Sequence, residues 1–228
     1  SCSIYGASEG DAKKEFDSLN PITAYAKSKV AVEKVLQKCE LGDGTTATSL
    51  RFATACGMSD RLRLDLVLND FVASALINNR IEILSDGTPW RPLIHVKDMS
   101  RAIEWAIHRN QNVAAPYLAV NIGSSLWNFQ VSDLAKAVAE ILPNCEVSIN
   151  TKGQPDKRSY KVNFDLFKTL APSYNPVYTL SDTISELVEG ISEIRHLISE
   201  DFRASDFIRL HILENHLKNK RLSSDLRW

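Results

Sequence analysis

Short apolar segments that close on turn residues alternate along most of this chain with segments of helical period, and that alternation limits the possible folds more than any other feature. "TATSLRFATACG", Thr46 to Gly57, reads as an apolar strand entering a glycine turn. "DLVLNDFVASALINN" then has helical period, "RIEILSDGTPW" is a strand running into an Asp-Gly turn, and "RPLIHV" is another strand. Asp98 is placed to cap the helix of "DMSRAIEWAIHRN". "LAVNIGSS" is a buried-type strand, and "QVSDLAKAVAEIL" a helix opened by Ser132 and Asp133 and closed before Pro143. "CEVSIN", "FDLFKTLAP" and "TLSDTISELVEGISEIRHLI" continue the series as strand, short helix and long helix. Strand and helix in turn imply the α/β class with a mainly parallel sheet.

Composition narrows the function classes. The 228 residues are 44% hydrophobic and 24% charged, enough apolar material for a core. Their 27 basic and 28 acidic residues are spread along the chain for a net charge of -1, which points away from nucleic acid and from an anionic membrane surface. No apolar run approaches the roughly 20 residues of a membrane helix, and "SCSIYGASEGD" has neither a basic nor an apolar leader region. A cytoplasmic location is expected. Cys2, Cys39, Cys56 and Cys145 are far apart and read as reduced, mostly buried residues. The five histidines do not cluster, so no metal site is expected.

The helix of "PITAYAKSKVAVEKVLQKC", Pro21 to Cys39, carries the chemistry. Its apolar stripe Val32, Val35, Leu36, Cys39 has core-facing spacing, and extended backward it passes through Ser28 or Lys29 and then Tyr25. Positions i and i+4 share a face, so Tyr25 and Lys29 can direct their polar ends into one site. A tyrosine with an ordinary pKa of about 10 is a poor base at neutral pH, and an ammonium beside it favours the phenolate. Such a base takes a proton from a substrate hydroxyl while hydride leaves the same carbon. A lysine snorkelling beside a helix-start tyrosine accounts for the spacing equally well. "SCSIYG", read as a strand end turning at Gly6, brings the Ser1 hydroxyl as a donor to the same substrate oxygen.

In order, Ser-x-x-x-Tyr-Gly, Tyr-x-x-x-Lys, "LRFATACG", "DGTPWRPLIHVKDMSRAI", "VNIGSS" and "YTLSDTISEL" resemble the extended short-chain dehydrogenase/reductase family of NAD-dependent nucleotide-sugar epimerases and dehydratases. The resemblance runs from Ser1 to about Glu193. It implies a Rossmann-type parallel sheet and a smaller C-terminal substrate-binding domain. Ser1, Tyr25 and Lys29 would be the catalytic trio, Tyr25 and Lys29 also touching NAD, with Lys29 on the nicotinamide ribose. Phe52, Ala53 and Thr54 would bring backbone to the nicotinamide. Ser3, Thr54, Arg91 and Arg158 would contact the nucleotide-sugar substrate, Arg91 at its diphosphate and Arg158 at a second phosphate contact. Thr54 stands where many relatives carry asparagine. The resemblance also implies a homodimer of the full-length protein through the helix bearing Tyr25.

A dinucleotide fold needs a glycine-rich turn where the pyrophosphate sits on helix amides, and no G-x-G-x-x-G or G-x-x-G-x-x-G occurs here. The expectation is therefore a partial Rossmann domain whose N-terminal strands, on the order of 100 residues, are missing. Residues 1–57 would be its remnant, 58–198 mainly the substrate-binding region with 96–142 returning to the Rossmann part, and 199–228 a charged, partly helical extension. Within the resembled family, 4,6-dehydratases carry an acidic pair directly after the serine or threonine of the catalytic strand. Cys2 and Ser3 stand there instead, which favours a 4-epimerase. The acidic loop residues Glu9 and Asp11 leave a dehydratase open, a reductase of the same family is a further alternative, and so is a truncated, non-catalytic fragment.

Overall fold

A computed structural model of the chain describes residues 1–8, 10–152 and 159–228. Ser1 opens it on a 3₁₀ turn, Cys2–Tyr5, by accepting the Ser3 N–H. This replaces the expected strand end. Gly6 at φ 64° closes the turn, in a position where a Cβ would run into the Asn20 carbonyl. Helix α1, Ala24–Lys38, starts where Thr23 accepts the Ala26 N–H at 3.1 Å.

The stretch 46–57 divides into two strands. β1, Ala47–Phe52, and β2, Thr54–Cys56, belong to different sheets. Helix α2, Val67–Asn78, leads to β3, Arg80–Ile83, then β4, Trp90–His95, and helix α3, Val96–His108. β5, Tyr117–Ile122, and β6, Asn128–Gln130, precede helix α4, Val131–Ile141, and β7, Glu146–Ile149. Helices α5, Asp165–Leu170, α6, Leu180–Glu193, and α7, Arg209–Lys218, complete the order.

β1 runs parallel to β5 from Ala47 opposite Tyr117 to Phe52 opposite Ile122. Ala53 N–H gives the last bond to that sheet, at 3.0 Å to the Ile122 carbonyl, and β2 then pairs in parallel with β4. The chain passes between sheets because β5 ends at Ile122, leaving Thr54 without a partner there. β6 adds antiparallel to β4, and β3 and β7 form a third, parallel pair. The α/β class with predominantly parallel pairing is what the alternation implied.

Two apolar cores meet along this crossing. One joins Ile4, Tyr5, Val30, Ile122, Trp105 and Phe167 around β1 and β5. The other joins Leu68, Val72, Ile81, Leu134, Leu187 and Phe202 around β3 and β7. The division differs from the expected residue ranges. Leu134, Ala135 and Val138 of α4 pack in the second core with α2, whereas Tyr160 to Ala171 pack in the first. Phe202 shows that the segment after 198 is partly core, not only an extension.

Helix α1 also turns differently from its apolar pattern. Ala26 and Val30 face inward and Glu33 is half-buried, whereas Val32 is 53% and Val35 63% exposed. Glu33 takes the inward place because a buried cation awaits it there. Asp98 does not cap α3. His95 does, its ring accepting the Lys97 N–H at 3.1 Å, and the buried Asp98 carboxylate accepts the N–H groups of Val177 and Tyr178. Nor do Ser132 and Asp133 cap α4, which begins at Val131 with no side-chain cap. Of the four free cysteines, Cys2 and Cys56 are buried, Cys145 is half-buried and Cys39 is exposed. Among the described residues no helix is long and apolar enough to cross a membrane.

Candidate active site

A cleft of about 1250 Å³ opens along the crossing between the two cores. Ser1, Ser3, Tyr25, Lys29, Phe52, Ala53, Thr54 and Arg91 all line it, so the described residues that the resemblance assigned to catalysis, cofactor and substrate border this one space. Arg158 lies outside the described residues. Asp11 is not among the lining residues, and Glu9 also lies outside the described ones.

The Ser1 and Ser3 hydroxyls sit 3.0 Å apart on the 3₁₀ turn. Tyr25 stands on the first turn of α1, 56% exposed and bordering the cleft, with the Lys29 ammonium 5.3 Å from its ring centroid. One helical turn therefore carries a phenol and a cation into the space that the serine hydroxyls border. That arrangement suits proton transfer to and from a hydroxyl bound between them.

Cys2, between the two serines, points the other way. Its thiol is buried and donates to the Arg51 carbonyl at 2.9 Å. Burial is the main cause pushing its pKa up to about 12, so it stays a neutral thiol at ordinary pH.

What fixes these groups is a buried polar network that the sequence did not disclose. Arg51 on β1 holds Glu33 of α1 through Nη2 at 2.7 Å and Nε at 3.0 Å, and gives Nη1 to the Tyr5 hydroxyl at 3.0 Å. Tyr5 in turn donates to Asn121 on β5 at 2.7 Å, and the Asn121 N–H donates to the Glu15 carboxylate at 2.9 Å. Burial works against the Arg51 charge, but the bonds and charges of Glu33 and Tyr5 together outweigh it and its pKa lies above the ordinary value. The helix bearing Tyr25 and Lys29 and the turn bearing Ser1 and Ser3 are thus tied to one guanidinium. A cation inside the apolar run "SLRF" was the available signal, since a buried charge demands a partner.

The opposite wall adds residues with no sequence signature. Arg63 holds Asp65 in a fork at 2.7 and 2.8 Å, an ion pair that keeps the Asp65 carboxyl below its usual range. Arg203 holds Asp70 of α2 at 2.8 Å through both Nε and Nη2, and Nη2 also reaches the Ser74 hydroxyl at 3.1 Å. Arg63, Asp65, Asp70 and Arg203 all border the cleft. An exposed ion pair of this kind contributes about 0–1 kcal/mol. Burying the neighbouring Phe202, 1% exposed, contributes about 1.5–3 kcal/mol, so the apolar anchor rather than the ion pair fastens this segment.

His95 is buried, stacked 4.0 Å from Tyr178 and paired with Glu186, and is not among the lining residues. Its Nδ1 accepts the Lys97 N–H, so Nε2 carries the proton toward Glu186. Every ring polar atom is used within the fold, which marks a structural histidine.

The model of the family described as NAD dependent epimerase/dehydratase matches residues 1–123. Among solved structures, the chain is similar to MoeE5 in complex with UDP-glucuronic acid and NAD, with 23% identity and a TM-score of 0.71, covering 85% of this chain and 63% of that one. It is also similar to UDP-glucuronic acid 4-epimerase from Bacillus cereus, at 22% identity and a TM-score of 0.67 over 84% of this chain and 59% of that one. A third is dTDP-glucose 4,6-dehydratase from Bacillus anthracis, at 18% identity and 0.69 over 86% and 60%. These structures share the fold, and the chain spans about three fifths of their length. With more than half of its residues matched, the chain belongs to the NAD dependent epimerase/dehydratase family.

Proposed function

We propose that this chain forms the catalytic and substrate-binding part of an NAD-dependent nucleotide-sugar 4-epimerase. The observation that carries the reading is the single cleft that Ser1, Tyr25, Lys29 and Arg91 border together. Tyr25 takes the proton of the sugar's C4 hydroxyl onto its oxygen, with the Lys29 ammonium 5.3 Å from the centre of its ring. Ser1, with Ser3 beside it, donates a hydrogen bond to the same oxygen. The oxidised sugar turns in the cleft, and Tyr25 returns the proton once the other face of C4 is presented.

The donors at this end of the cleft fit the nicotinamide ribose of NAD: an ammonium, a phenol hydroxyl and the backbone of Phe52 to Thr54 all border it. When bound, NAD supplies the two-electron oxidation and reduction at C4. Arg91 meets the diphosphate, and Arg158 is proposed as a second phosphate contact.

Cys2 favours epimerisation over elimination. Removing water from C6 needs its own acid and base, and the residue after Ser1 is a thiol turned into the core with a pKa near 12. Homodimerisation through α1 is part of the proposal, supported by the exposed Val32 and Val35, and four free cysteines support a cytoplasmic location. The experiment is to give the full-length protein NAD with UDP-, dTDP-, GDP- and CDP-hexoses and read products by NMR. A C4-inverted sugar without net reduction of NAD supports the reading, and an accumulating 4-keto-6-deoxy sugar overturns it.

A further inference from the structure

The segment after 198 is anchored, and it delivers a charge to the cleft. Ile198 and Phe202 are buried in the core around β3 and β7, and the next residue, Arg203, borders the cleft from the 3₁₀ turn Phe202–Ala204. Since the apolar anchors already fix the segment, the fork onto Asp70 and the bond to Ser74 have a different consequence: they set the direction of the guanidinium. Nε and Nη2 are occupied, whereas Nη1 makes no hydrogen bond among the described residues. Two N–H donors are left over on a side chain held in one plane.

Position along the cleft indicates what they meet. Tyr25 and Ser1 stand on elements of the first core, and Arg203, Asp70 and Glu82 stand on elements of the second. A nucleotide sugar reacting at Tyr25 must lay its remaining length against the second core's wall. There an oriented guanidinium matches oxygen acceptors, and a nucleoside diphosphate offers them on its phosphates and its base carbonyls.

We propose that Arg203 is a substrate-binding residue, through which the C-terminal segment grips the nucleoside diphosphate part of the substrate. The assignment rests on the nucleotide-sugar reading above. Asp70 and Ser74 act as its positioning partners, and the bond to Asp70, with the charges of Asp70, Glu82 and Asp201, favours the charged guanidinium.

Calorimetric titration of the full-length protein with UDP, dTDP, GDP and CDP tests it, comparing wild type with Arg203→Gln and Arg203→Lys. For the nucleotide that the wild type binds best, Arg203→Gln should raise Kd about tenfold or more. NAD affinity and melting temperature should stay at wild-type values. Arg203→Lys keeps the charge but loses the planar fork, so it should show a smaller rise, and it carries the test if the glutamine variant does not fold. An unchanged Kd in the glutamine variant, or a rise matched by equal loss of NAD affinity, overturns the assignment while leaving the nucleotide-sugar reading intact. Failure of the wild type to bind any of the four nucleotides overturns that reading and the assignment with it.

Discussion

Arg51 and Glu33 meet through three hydrogen bonds of 2.7 to 3.2 Å, with side chains only 6% and 13% exposed, and so join the sheet to the helix that carries Tyr25 and Lys29. Removing one member of a buried pair leaves a charge without its partner, at a cost of about 3–5 kcal/mol. Glu33→Ala should therefore lower unfolding stability by that order in urea titrations. It should also reduce turnover more than substrate affinity, because α1 loses the contact that holds its angle. A double-mutant cycle with Arg51→Met isolates the pair, and independent, additive losses would show that the two side chains do not act together.

Buried acids set the alkaline limit of the fold. The Cys2 thiol is pushed up to about 12 from an ordinary value near 9, chiefly by burial, and Cys56 and the Tyr5 phenol are displaced the same way. In the unfolded chain these groups lose protons at a lower pH than in the fold. The unfolded state then binds fewer protons, and stability falls as pH rises above 9. Thermal melting followed from pH 7.5 to 10.5 should show that decline, shallower in Cys2→Ala at its alkaline end. Native thiol labelling at pH 7.5 should modify Cys39 quickly and leave Cys2 and Cys56 protected.

The outward face of α1 makes a third expectation concrete. Val32 and Val35 are both more than half exposed on α1, and neither borders the cleft that Tyr25 enters. If a second copy covers them, Val35→Glu in the full-length protein should convert a dimer to a monomer in light scattering, with secondary structure unchanged. A wild-type protein that is monomeric at micromolar concentration would rule out this use of the helix.

The strand–helix alternation and the placing of Tyr25 and Lys29 one turn apart on α1 were legible in the residue order because each rests on local spacing, whereas Phe52, Ala53, Thr54 and Arg91 were singled out by the family resemblance. The residue order misled about the inward face of α1, where Val32 and Val35 complete an apolar period yet stay outside while Glu33 turns in. No local pattern reveals that Arg51, in another element, needs Glu33. Arg203 was invisible for the same reason: its meaning comes from Phe202 entering a distant core and from Asp70 on α2. Asp98 looked like a cap because it sits in a first turn, but its carboxylate was required by two backbone N–H groups far along the chain.

The central claim is that the Tyr25 oxygen moves the proton, and Tyr25→Phe in the full-length protein tests it most directly by removing that atom alone. General acid–base catalysis contributes about 10²–10⁴-fold, so kcat should fall by that order. The Kd for the nucleotide sugar should stay within a few-fold of wild type, since the ring and Lys29 remain. A phenylalanine variant that turns over at the wild-type rate would contradict the account and place the base elsewhere.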